Sequence, residues 1–183
     1  MMSLPKHKYL LTYRYVEIIH DLTVEFCRLY IDYRSRTKDQ MEQAARSGKQ
    51  CIVEGVGQSV TSKKGEIKLL GVANGSFEEL LSDCEDFLRQ RKLEIWAKTD
   101  PKVLRLKTIA YRLSHLSNLS YLGHLKEKPI LPVEPEEAAN FLLTLCHLET
   151  YLLSKQIASL ENKFVRKGGY TENLFKKRLK GRI

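Results

Sequence analysis

The chain has 183 residues, 43% of them hydrophobic, and a formal net charge of +9 at pH 7. That length fits one core-bearing domain with an appendage, and no run approaches the roughly 20 apolar residues of a membrane span. The basic excess points to a polyanionic partner, either nucleic acid or an acidic surface.

The first helix is predicted over Thr12–Arg34, where Tyr15, Ile19, Leu22, Phe26, Leu29 and Tyr33 recur at steps of three and four and make one apolar stripe. Ser35 or Thr37 then supplies an N-cap for a second helix running to about Gly57. Its inner stripe is Met41, Ala44, Ala45, Gly48, Ile52 and Val56. Gly48 and Gly55 each cost about 1 kcal/mol of helix propensity relative to alanine. A helix that keeps them is expected to approach a neighbour closely.

The third helix is predicted from Ser62 to Gln90, with Glu66 supporting its first turn. Ile67, Leu70, Asn74, Phe77, Leu81, Cys84 and Leu88 share one face, and Leu69, Ala73, Leu80 and Phe87 widen it. A connector, Arg89–Lys98, holds the single tryptophan, Trp96. Asp100 caps a fourth helix that has Pro101 at its first position and fades around Leu119–Gly123. Pro129, Pro132 and Pro135 mark a linker over Lys126–Pro135. The fifth helix opens at Pro135 with Glu136 and Glu137 in its first turn, carries a broad apolar face from Phe141 to Leu160, and ends or kinks at Gly168-Gly169. Tyr170–Leu179 reads as a short basic helix capped by Thr171.

No strand-like alternation of any length occurs, so the expected fold is all-α. It is an antiparallel, up-and-down four-helix bundle with an additional helix and a basic C-terminal extension. Residues 1–125 are assigned to the bundle, 126–135 to the linker, and 136–183 to a suffix helix and basic tail packing on the bundle. The helical pattern leaves open whether Pro101–Leu122 or Glu136–Lys163 completes the four. The second is longer and more apolar, and is favoured.

The charge is concentrated at one end. From Lys163 onward the basic residues are Lys163, Arg166, Lys167, Lys176, Lys177, Arg178, Lys180 and Arg182, against the single acid Glu172. This is the footprint of a phosphate-binding segment or of a solubilising tail. Tyr170 and Phe175 sit among these charges, placed either to stack on unpaired bases or to pack back on the bundle. Lys49, Lys63 and Lys64 extend the footprint or belong to a solvated face.

Candidate chemistry is sparse. His7, His20, His115, His124 and His147 lie in different segments without ligand spacing. Cys27, Cys51, Cys84 and Cys146 show neither CxxC nor zinc spacing, and each is expected to be a small buried hydrophobe in a reducing cytoplasm. Lys6, His7 and Lys8 precede no apolar segment with a cleavage site, so no secretory signal is read there. Glu54 with Asn74 and Ser76 is expected to be a structural polar contact setting helix register, in preference to a catalytic acid. No catalytic set, cofactor or metal is expected.

Two segments carry a resemblance: Cys51-Ile52-Val53-Glu54-Gly55 and Ala73-Asn74-Gly75-Ser76-Phe77-Glu78-Glu79-Leu80. They resemble the signature of the four-helix bundle family associated with intervening sequences of 23S ribosomal RNA. That family also includes the accessory variability determinant of diversity-generating retroelements. Cys51 stands where the family usually has asparagine, and Asn74 where it usually has arginine. Segments Arg34–Gln50, Asp86–Trp96 and Thr150–Leu179 are similar to the longer branch of the family, which carries a suffix domain. The resemblance implies an antiparallel bundle, a ring-like homo-oligomer (typically a pentamer), nucleic-acid binding and, in retroelement members, partnership with a reverse transcriptase. It implies no enzymatic activity. The function expected is therefore non-catalytic nucleic-acid binding with RNA favoured, and the alternative is an adaptor whose basic tail docks an acidic partner.

Overall fold

The computed structural model describes residues 4–181. A short 3-10 turn at Lys6–Tyr9 leads into α1 (Leu11–Tyr30), α2 (Arg36–Gln58), α3 (Lys63–Gln90), α4 (Pro101–Ser114), α5 (Pro135–Lys167) and α6 (Tyr170–Lys180). Among the described residues there is no strand; the nearest to one is an isolated bridge between Leu119 and Leu125. No helix among the described residues is long and apolar enough to cross a membrane.

The helix starts follow local chemistry. Ser35 Oγ accepts from the Thr37 amide at 3.2 Å and Ser62 Oγ from the Gly65 amide at 3.0 Å. Asp100 Oδ1 accepts from the Lys102 amide at 2.7 Å ahead of Pro101. Each bond satisfies an amide that the first helical turn leaves without a partner. α5 also opens on a proline, and stops where Gly168 takes a φ of +70°, a conformation that favours glycine.

Two boundaries differ from expectation. α1 ends at Tyr30 instead of Arg34, because Ile31 turns extended and the Arg34 amide bonds Asp32 Oδ1 at 2.9 Å in a local turn. Tyr33 is therefore 76% exposed, and the apolar stripe of α1 ends at Phe26 and Cys27. α4 stops at Ser114, followed by a 3-10 turn over Leu116–Asn118.

Four helices neighbour one another in a closed cycle: α1 beside α2, α2 beside α3, α3 beside α5, and α5 beside α1. Neighbours run in opposite directions. Cys27 meets Met41 while His20 meets Lys49, Gly48 meets Phe77 while Gly55 meets Glu66, and Thr12 meets Gln156 while Tyr30 meets Val133. α4 lies outside this cycle, against α5 and to a lesser extent α1. The helix that closes the cycle is thus α5.

A single core runs from α1 through α5, with Phe26, Phe77 and Phe141 among its largest fully buried side chains. The division expected at 126–135 is corrected accordingly. The first half of α5 is central to the core: every residue from Ala138 to Cys146 is buried. α4 and the connector cover the face of α5 that its α1 and α3 neighbours leave open.

Asn140 pins the connector. Its Oδ1 accepts from the Trp96 amide, and its Nδ2 donates to the Glu94 and Glu136 carbonyls, each at 2.9 Å. The Trp96 indole Nε1 donates to Glu136 Oε1 at 2.9 Å. Asn140→Ala leaves the buried Trp96 amide without its partner, at a cost of about 1–3 kcal/mol. Urea unfolding followed by Trp96 emission is expected to show that loss together with a red-shifted native spectrum. An unchanged midpoint and spectrum would show that the connector is held by packing alone.

Candidate nucleic-acid interface

The tail departs from the body and does not pack on it as expected. α6 contains no buried residue. Leu174, Phe175 and Leu179 are 42%, 60% and 50% exposed. The cause is the break at Gly168-Gly169, after which the chain leaves the α5 axis. Thr171 lies inside α6; the cap is made instead by Glu172, whose carboxylate accepts from the Gly169 amide, while Asn173 Nδ2 donates to the Gly169 carbonyl at 2.8 Å.

The break lies beside the α2–α3 turn. Together they form a groove of about 220 Å³ lined by Val60, Lys63, Lys163, Phe164, Lys167 and Tyr170. A second depression of about 300 Å³ continues it past Lys64 and Thr171. Lys63 and Lys64 therefore share one end of the molecule with Lys163, Lys167 and Tyr170, although the two groups are separated in the chain by α3, α4 and most of α5. Lys63 pairs with the buried Glu66 at 3.0 Å. Among the described residues, Lys64, Lys163 and Lys167 have no ion-pair partner.

The other candidates lie elsewhere. Arg166 is exposed on α5 outside the groove lining. Lys176, Lys177, Arg178 and Lys180 are exposed along α6. Phe175 has not packed back on the body, whereas Tyr170, 48% exposed, rims the groove. Arg182 lies outside the described residues. Lys49 points to α1, its Nζ 3.1 Å from His20 Nδ1, and does not join the cluster.

The expected Glu54–Asn74–Ser76 contact is not formed. Glu54 is exposed, and the Ser76 hydroxyl bonds Ser47 Oγ at 3.3 Å. Helix register explains it: Gly55 lies 3.4 Å (at its Cβ position) from the Glu66 carbonyl. Glu54 is thus level with the start of α3, below Asn74. Asn74 Oδ1 is buried with no protein partner.

Of the cysteines, Cys27, Cys84 and Cys146 are buried and Cys51 only half-buried, which corrects the expectation for that residue. Burial raises the Cys27 thiol to about 12 and pushes Cys84 and Cys146 up as well. Among the described residues no group of three His, Cys, Asp or Glu side chains could hold a metal ion.

Sequence reading missed two buried charged side chains. Arg14 Nε donates to the Ser114 carbonyl at 2.5 Å and its Nη1 to the Tyr9 carbonyl at 2.9 Å, which ties α1 to the end of α4 and to the N-terminal turn. Glu149 is fully buried, and neither carboxylate oxygen has a protein partner. Its position was available from the helical period, because it continues the Leu142, Leu145, Cys146, Leu153 stripe. A separate groove of about 870 Å³ lies between α3, the connector and α5, with Trp96, Leu143 and Leu148 on its floor. His147 lines it, its imidazole held below the ordinary range by burial and then by Lys98.

No family model matches the chain, and no curated protein or solved structure matches it either.

Proposed function

We propose that this chain is a non-catalytic nucleic-acid-binding protein, with RNA the favoured ligand. In this reading α1, α2, α3 and α5 are an antiparallel, up-and-down four-helix bundle, α4 is the additional helix, and α6 is the basic extension. Further parts of the proposal follow from the family resemblance. The protein belongs with the bundles associated with 23S ribosomal RNA intervening sequences and retroelement accessory functions. It acts in the cytoplasm as a homo-oligomer, a pentamer being favoured, with a reverse transcriptase as a candidate protein partner.

The supporting observation is the gathering of Lys63, Lys64, Lys163 and Lys167 around Tyr170 at the groove between the α2–α3 turn and the α5–α6 break. Among the described residues three of these lysines have no ion-pair partner, which leaves their charge available to phosphates. The half-exposed Tyr170 ring gives an unpaired base a stacking surface, worth about 1–3 kcal/mol. Each phosphate neutralised releases counterions, so affinity must fall with salt.

The test is binding to single-stranded RNA, structured RNA and duplex DNA across a salt series, with an acidic protein as competitor. Lys64→Ala/Lys163→Ala/Lys167→Ala is expected to raise Kd at least about tenfold and to lower the salt slope by about 2 on single strands, at roughly 0.7 per contact. Tyr170→Ala is expected to weaken single-stranded binding without changing that slope. Unchanged affinity in both variants would remove the groove from the interface.

A second reading has its own observation. Leu174, Phe175 and Leu179 stand exposed on the basic helix α6, as expected of an adaptor segment that docks an acidic protein partner. An acidic competitor that displaces RNA completely, with no preference for nucleic acid, would favour this reading.

A further inference from the structure

α6 presents an unpartnered face. At about 100° per residue, Tyr170, Leu174, Phe175 and Leu179 fall on one half of the helix, with Arg178 among them. Lys176, Lys177 and Lys180 fall on the other half. An amphipathic helix of this kind is recognised by a groove with an apolar floor and an acidic rim.

The groove beside Trp96 has that chemistry. Ile95, Trp96, Val103, Leu143 and Leu148 supply an apolar floor and walls, and Glu78 and Glu85 of α3 form one rim. Among the described residues neither Glu78 nor Glu85 has an ion-pair partner. Lys98 and Lys107 line the groove as well. They require an incoming helix to turn its positive charge toward α3.

The chain's own α6 cannot reach this groove. Leu148 is 21 residues of chain before Gly169, about 30 Å along α5 at roughly 1.5 Å per residue. The 11 residues of α6 span only about 16 Å. Folded back from the glycine break, α6 would end well short of Trp96.

We propose that this groove receives α6 of a second copy of the chain, with Leu174, Phe175 and Leu179 on its apolar floor and Arg178 turned to Glu78 and Glu85. The proposal deepens the homo-oligomer part of the reading above and rests on self-association; it does not depend on nucleic-acid binding. The contact joins two different surfaces, so it is heterologous and repeats from copy to copy into a ring or a filament. Lys176, Lys177 and Lys180 stay on the outer half of the docked helix, where they are still available to phosphates.

The test is sedimentation velocity of the full chain, free of nucleic acid, over a range of protein and salt concentrations. Two variants alter positions outside the core: Leu174→Asp/Leu179→Asp on α6, and Glu78→Lys/Glu85→Lys on the rim, where Glu78 is exposed and Glu85 half-buried. Circular dichroism checks that both keep their helical signal. Each alone is expected to weaken self-association at least about tenfold. An equimolar mixture is expected to form one-to-one complexes only, since one intact α6 meets one intact groove. Trp96 is the only tryptophan, so its emission should shift on mixing. If the wild type assembles but both variants assemble equally well, the contact is wrong while the oligomer reading stands. A wild type that stays monomeric at all concentrations overturns both. Single variants that dissociate but fail to complement one another also overturn the two-surface contact.

Discussion

Gly48→Leu is expected to destabilise the protein by about 3 kcal/mol or more, the upper end of overpacking penalties. A Cβ built on Gly48 would overlap the Phe77 ring. That ring is fully buried on α3 and has no free space to swing into. Gly48→Ala already meets the collision, partly offset by the gain of about 1 kcal/mol in helix propensity. Leucine adds three further carbons to the same seam. For a chain of this size, 3 kcal/mol corresponds to a fall in Tm of about 6–12 °C.

A double-mutant cycle with Phe77→Leu isolates the cause. If the ring is the obstacle, Gly48→Ala should cost less in the Phe77→Leu background than in the wild type, with a coupling of about 0.5–3 kcal/mol. A Gly48→Leu protein that melts within a degree or so of the wild type would falsify the close-contact account. Gly57, Gly71 and Gly75 have open space at the Cβ position, so alanine at any of them is expected to be neutral or stabilising.

The second large effect concerns Glu149. Burial alone pushes its carboxyl well above the ordinary carboxylate value of 4.5, because a charge there has neither water nor a hydrogen-bond donor to replace its hydration. Of the titratable groups around it, Tyr15 on α1 and Cys146 on α5 are raised in part by its charge. The folded state holds Glu149 protonated at pH values where the unfolded chain has released the proton. The folded protein then binds more protons than the unfolded one, so stability falls as pH rises. The loss starts near the unfolded carboxyl value and continues up to the folded one, with a limiting slope of about 1.4 kcal/mol per pH unit.

Glu149→Met removes the proton linkage and replaces an unsatisfied polar group by an apolar one of similar length. It is expected to stabilise the protein at pH 7 by at least about 1–3 kcal/mol, the usual penalty for a buried group without partners, with the linkage contribution added. Urea unfolding of both proteins from pH 4 to pH 8 measures this directly. The difference should be smallest at pH 4 and widen with pH, and parallel curves would show that Glu149 is solvated or partnered in solution. Glu149→Gln separates the two components, because it abolishes the pH slope while leaving a buried polar group.

Much of the secondary structure could be read from single residues and their spacing. Ser35, Ser62, Asp100, Pro101, Pro135 and Gly168 each act within one helical turn, and each marks a helix end where the structure has it. The all-helical content follows from periodicity, and Gly48 was legible as a close approach because a mid-helix glycine needs a reason. The errors share one cause: they all depend on what lies beside an element. Tyr33 continues the spacing of the α1 stripe but falls in the turn after it. Pairing Glu54 with Asn74 and Ser76 needs only that the next helix run antiparallel beside it, but the α2–α3 register sets Glu54 opposite the start of α3.

The same division holds for the candidate interface. The sequence by itself determined that positive charge is massed after Lys163, since composition and local order contain that fact. It could not place Lys63 and Lys64 with Lys163 and Lys167, because that depends on α5 closing the helix cycle and ending beside the α2–α3 turn. The expectation that the tail packs on the bundle fails for the same reason: after Gly168 with its positive φ, Leu174, Phe175 and Leu179 stand exposed. Local structure follows from dihedral preferences and capping over a few residues. Burial, register and the joining of distant charges come only from packing, which satisfies all the helices at once.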